Sequence, residues 1–256
     1  MEQDFTKQEI PSFKHGMFRL GKIKNKYLII QIVCWSDTLD ECVPLFIQSC
    51  RIFKNLFENE TMSFMLYGSS WEYLAIPKEP AGALISTHKD IRLISKGLKY
   101  KHFKLELVYN SSKDVKLPEK FHAKCEGVTN IVCVIQTDMK QIIGGYTQEA
   151  WEPCEPSQYK SDPHAFIFSL SKQSLHPIQH GHEKFATFHD KNSFCVFGDV
   201  RRSDLFVGGW NSVSNLGTTY TLPEGIMKNS FEASSYLAGN QYFNKTVIQA
   251  YKVVFI

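Results

Sequence analysis

Two patterns of apolar spacing divide the chain near residue 100. In the first part, Tyr27–Cys34 is an almost unbroken run of β-prone apolar residues, the pattern of a strand covered on both faces. Beyond it, Leu39, Val43, Phe46, Cys50, Phe53 and Phe57 recur at steps of four, three, four, three and four, which puts all six on one face of a helix over about residues 39–57. Asp37, Thr38 and Asp40 supply capping chemistry at its start. Pro44 falls in or just past the first turn, so the helix either begins later or bends there. Met62–Tyr67 and Trp71–Ile76, separated by Gly68-Ser-Ser70, read as a hairpin. Pro77, Pro80 and Gly82 mark a loop over 77–89, and Ile91–Leu98 reads as a short helix. The expectation for residues 1–100 is a small α+β region of unknown role. Each Leu or Phe of the helical seam gains roughly 1.5–3 kcal/mol on full burial, so the seam is covered, either by the neighbouring strand and hairpin or by a partner.

From Phe103 onward the spacing shortens to strands separated by turn residues. The expected strands are Lys104–Tyr109, Asn130–Gln136, Gln141–Tyr146, Ala165–Leu170, Phe185–His189, Ser193–Phe197, Leu205–Val207 and Thr246–Val254. One helix interrupts them, Pro118–Cys125, with proline suited to a first helical position and Gly127 to a terminating one. Many short strands with little helix between them imply an antiparallel arrangement and not a wound parallel sheet. The expected class is α+β, mainly β: a two-sheet antiparallel β-sandwich with short flanking helices over 103–256, preceded by the smaller N-terminal region.

Composition narrows the function classes. Hydrophobic residues make up 43% and charged residues 21%, which fits a globular chain and excludes wholesale disorder. The net charge of +3 arises from 29 basic and 26 acidic residues mixed along the chain, with no basic footprint for nucleic acid. No window approaches a membrane span and the first residues lack a signal-peptide core, so the expected location is the cytosol. Seven cysteines without a CxxC pair disfavour a disulfide framework or a zinc ribbon. His176, His180, His182 and His189 cluster in sequence, but no Cys or acidic residue stands at a zinc spacing from them, and a polar loop is expected there with no metal. No nucleophile elbow, P-loop, dinucleotide fingerprint or paired-acid spacing is present.

Four blocks in order carry a family resemblance: Phe121–Gly127, Ile143–Glu152, Tyr159–Leu170 and Ser235–Phe243. Over about residues 103–253 the chain resembles the TLDc domain of the oxidation-resistance proteins. The resemblance implies a two-sheet sandwich, a link to oxidative-stress resistance, and action through protein partners. Several relatives bind the vacuolar proton-ATPase, so that assembly is the best candidate partner. The resemblance brings no catalytic mechanism and no cofactor, and the expectation is a protein that is not an enzyme. Two departures stand out. Arg201 and Arg202 occupy a turn that is usually glycine-rich, after Phe197-Gly198 and before Asp204-Leu205, and Gln249 replaces a usual acidic residue.

The residues that follow from this reading are of three kinds. Glu152, Asp162, Arg201, Arg202 and Gln249 are candidate partner contacts, with Glu152 alternatively a buried acceptor and Asp162 alternatively the side chain of a Ser-Asp-Pro turn. Gly144, Gly145, Trp151, Gly198 and Gly239 form a structural motif, the glycine pair allowing bending or close packing at the end of a strand and Trp151 anchoring the core. Cys125 is the one redox candidate. Neighbouring Lys124 favours its thiolate, and the helix C-terminus opposes it. Two other function classes stay open at this point: a structural component of a cytoskeletal or ciliary assembly, and a thiol-dependent antioxidant enzyme.

Overall fold

Ile131-Val-Cys-Val-Ile135 are five consecutive apolar residues, none with solvent exposure. A strand alternates its side chains between two faces, so such a run needs cover on both sides, and the fold supplies it. The structure, a computed structural model, describes residues 75–77 and 81–256. The expected strand at 27–34, the helix at 39–57 and most of the hairpin at 62–76 lie outside the described residues.

The described residues form twelve strands in chain order: β1 (Phe103–Asn110), β2 (Ile131–Thr137), β3 (Ile142–Thr147), β4 (Gln158–Lys160), β5 (Phe166–Ser169), β6 (Ser174–Pro177), β7 (Thr187–His189), β8 (Ser193–Phe197), β9 (Leu205–Gly208), β10 (Ser212–Ser214), β11 (Tyr242–Phe243) and β12 (Lys245–Phe255). They form two six-stranded antiparallel sheets, ordered β1-β12-β2-β3-β5-β6 and β11-β10-β9-β8-β7-β4. Three α-helices lie wholly within the described residues: α1 (His88–Gly97), α2 (Pro118–Cys125) and α3 (Phe231–Ser235).

One core lies between the sheets. Ile131, Cys133 and Ile135 of β2 meet Cys195, Phe197, Leu205 and Val207 of the second sheet there, with Phe121 of α2 and Trp151. A second core lies on the other face of the first sheet. Val132 and Val134 join Phe166, Phe168, Tyr251 and Val253 beneath Ile91, Ile94 and Leu98. The first sheet is thus apolar on both faces, which explains why β2 shows no polar alternation.

α1 begins earlier than its apolar spacing predicts, because a capping box sets its start. The Thr87 side chain accepts from the Asp90 backbone N–H at 3.2 Å, and the Asp90 carboxylate accepts from the Thr87 N–H at 2.9 Å. α2 has the predicted bounds, with Pro118 in its first turn. Ala75, expected in a strand over 71–76, has helical backbone instead. Apolar residues in so short a run do not distinguish a strand from one helical turn. β4, β6, β10 and β11 were not foreseen; each has two to four residues, too few for a period to register.

The glycine pair lies within β3 and not at its end. A Cβ on Gly144 would fall 2.1 Å from the Cys133 carbonyl oxygen of β2 and 2.7 Å from the Phe168 ring, and one on Gly145 would fall 2.6 Å from the Phe197 ring. The two glycines face opposite sides of the sheet and let a large aromatic ring settle onto the backbone from each core. Trp151 is 1% exposed, stacks on His189 at 4.7 Å and meets Phe197 edge-on at 5.3 Å.

Gly145→Ala forces the buried Phe197 ring to move, with an expected loss of about 1–3 kcal/mol in denaturant unfolding. The same substitution in a Phe197→Leu background is expected to cost less, and an equal cost in both backgrounds would show that the ring contact is not the cause.

Candidate functional site

The outer face of β9–β11 carries a pattern opposite to that of an ordinary solvated sheet face. Phe206, Val213 and Tyr242 are paired neighbours across β9, β10 and β11, and all three point away from the inter-sheet core. β10 is inverted outright: Ser212 and Ser214 are buried, while Val213 between them faces outward. Two walls rise beside this apolar row. One is the 3-10 turn Val200–Arg202, and the other is the Asn229–Phe231 segment leading into α3. Together they enclose a groove of about 830 Å³ whose lining has two arginines and no carboxylate. Phe231 and Tyr242 at its rim are 73% and 65% exposed.

The arginine wall is held from below. Asp199 caps the turn, accepting from the Arg201 N–H at 3.1 Å, and its carboxylate takes the Arg201 guanidinium at 2.6 Å and the Tyr159 hydroxyl at 2.9 Å. The Arg201 pair holds the Asp199 carboxyl well below the usual range. Arg202 donates to the Asn229 side-chain oxygen at 3.0 Å, linking the two walls, and makes no ion pair among the described residues.

Asp204 fixes the base of this arrangement. Its carboxylate has no exposure and accepts from four successive backbone N–H groups, of Gly217, Thr218, Thr219 and Tyr220, at 2.7–3.2 Å. Burial pushes its carboxyl up to about 6 and the four donors pull the other way, so near neutral pH it is a carboxylate. Gly198 has φ +99°, and a Cβ there would lie 2.5 Å from an Asp204 oxygen, so a side chain at 198 is excluded both by conformation and by space. Tyr220, at the end of this loop, donates its hydroxyl to the Ala186 carbonyl at 2.7 Å.

The candidate contact residues do not converge. Arg201 and Arg202 stand together on the groove. Glu152 lies apart from them, ion-paired with Lys160 of β4. Asp162 is 2% exposed and accepts from the Thr147 hydroxyl and the Gln148 and His164 N–H groups at 2.7–2.9 Å, the turn arrangement of the Ser-Asp-Pro sequence. Gln249 is 1% exposed. Its oxygen accepts from the Leu84 N–H at 2.9 Å and the Tyr251 hydroxyl at 2.8 Å, and its nitrogen donates to the Gly82 carbonyl at 3.2 Å. Asp162 and Gln249 are therefore interior ties and not surface contacts, and an amide suits position 249 because a carboxylate has no donor for Gly82. Gly239 sits in the turn after α3, against Met139.

Cys125 is buried, and that burial pushes its thiol well above the ordinary range, against the Lys124 effect expected from the sequence. The histidines do not behave as one loop. His176 and His189 are buried, and burial pushes them down to about 4 and about 3, whereas His180 is fully exposed.

A family model, the TLDc domain, matches residues 81–252, more than half of the chain. The chain belongs to the TLDc family. No curated protein matches it. The TLDc match takes in α1 and the Gly82–Leu84 segment tied down by Gln249. Of the TLDc residues that matter most in this site, sequence reasoning found Arg201 and Arg202 and missed Asp204, Phe206, Val213, Phe231 and Tyr242. The inverted Ser-Val-Ser of β10 was the available signal.

Asp204→Asn puts amide hydrogens against four N–H donors. The expected loss is about 2–4 kcal/mol in urea unfolding at neutral pH, and a change below about 0.5 kcal/mol would show that the carboxylate does not hold the loop.

Proposed function

We propose that this TLDc chain is a non-catalytic protein-interaction module, with the vacuolar proton-ATPase as its best candidate partner and a link to oxidative-stress resistance. The observation that carries the reading is the groove on the second sheet: apolar residues face outward along β9–β11 beside an arginine wall, on a face that the inter-sheet core does not need. Family membership supports the same reading, since the resemblance implies action through partners. The groove lining carries no carboxylate, and the buried Asp162 and Asp204 accept from donors within the fold, which supports this reading. The thiol-dependent alternative has little support, because Cys125 is buried and its thiolate disfavoured. No helix among the described residues is long and apolar enough to cross a membrane, and in this reading attachment to an organelle surface runs through the protein partner.

Affinity purification of the full chain from resting and peroxide-stressed cells tests the partner. Proton-pump subunits are expected in the eluate. Their absence under both conditions removes that candidate, and stable recovery with a detergent-resistant cytoskeleton would replace it with a structural role in such an assembly.

A further inference from the structure

Buried hydroxyls without partners cluster around one feature of the fold. Among the described residues, four buried side-chain polar atoms lack a hydrogen-bond partner: Trp151 Nε1 and the hydroxyls of Ser203, Ser212 and Ser214. One of the four lines the groove, and two lie beneath its floor. Ser203 lines it, and Ser212 and Ser214 flank Val213 on its floor strand. A one-residue shift of β10 would bury Val213 and return both hydroxyls to water. The observed register does the reverse, and unpartnered buried hydroxyls are costly. What it yields is a continuous apolar row, Phe206–Val213–Tyr242, open to the outside. Local rules broken together at one place mark a site whose demands differ from those of folding.

The charge of the walls limits what fits on that row. Arg201 is already neutralised by Asp199. Arg202 holds only the neutral Asn229 oxygen, leaving the rest of its planar fork for a carboxylate. One free guanidinium over an apolar floor matches a single acidic side chain beside an apolar one. It does not match a nucleic acid, which needs a track of cations, nor a bilayer, since Phe206 and Val213 lie between two walls and a single arginine is free beside them. We propose that the groove binds an extended segment of a partner protein in which an Asp or Glu lies next to an aromatic or branched aliphatic residue. The carboxylate meets Arg202, and the apolar side chain rests on the Phe206–Val213–Tyr242 row beside Phe231. This rests on the reading of the chain as an interaction module and specifies what the module recognises.

A random heptapeptide phage library, selected against the full chain, tests it. Enriched sequences are expected to pair Asp or Glu with Phe, Tyr, Leu or Ile. A fluorescein-labelled copy of the most enriched peptide is expected to bind Arg202→Glu about fivefold more weakly, with a similar loss for Phe231→Ala and a smaller one for the peptide with its acid changed to the amide. Both residues are at the surface of the groove, so the variants are expected to melt with the parent; Arg202→Gln, which removes charge without reversing it, gives a smaller loss in the same direction. Enrichment without acidic residues, no enrichment, or affinity unchanged in Arg202→Glu overturns the groove assignment. If proton-pump subunits are still captured by Arg202→Glu as by the parent, the module reading stands and the groove assignment falls. If the parent chain itself retains neither peptide nor partner, both fall.

Discussion

The two sheets are covered unequally, and that inequality governs the rest of the molecule. The first sheet is buried on both faces, by the second sheet on one side and by α1 with the Leu84–Ile85 segment on the other. Its middle strands must be apolar throughout, and its glycine pair must admit Phe168 and Phe197 from opposite directions. A sheet so enclosed has no face left for recognition. The second sheet is needed by the core on one face only. Its other face keeps an apolar row across β9–β11, and the loops around that row carry the arginines.

Buried polar side chains hold this scaffold together. Asp204 gathers donors from 217–220 and Asp162 from 147–148, while Gln249 accepts from the Leu84 N–H and donates to the Gly82 carbonyl. Such ties satisfy backbone groups that loops would otherwise leave unpaired. His122 does the same, its ring nitrogens lying 2.9–3.1 Å from the carbonyls of Trp151, Asp190 and Ser193. The buried cysteines 125, 133 and 195 behave as small core residues.

Much of the fold was legible in the sequence because its signals are local. The long strands β1, β2, β3, β8 and β12 show as apolar runs, and α2 is bounded by Pro118 and Gly127. Four short strands, β4, β6, β10 and β11, were not legible, since runs of two to four residues carry little period and these are not strongly apolar. α1 was half seen: its apolar face was visible, while its start depends on a Thr87–Asp90 pair whose role is clear only once the backbone is placed. In the site, Arg201 and Arg202 stood out because bulky residues fill a turn where glycine was expected. Asp204 could not be read, because its four donors come from a loop more than ten residues away. Gln249 was read as a surface change and is an interior one, since β12 lies in the middle of a sheet covered on both sides.

The account rests on the outer face of β9–β11 being where a partner is met. Hydrogen–deuterium exchange of the full chain, alone and with its captured partner, measures this directly. The account predicts slowed exchange over residues 199–203, 229–234 and 241–242, with α1 and the β2–β3 pair unchanged. Slowed exchange at α1 or at the β1 edge, with the groove segments unaltered, would contradict it.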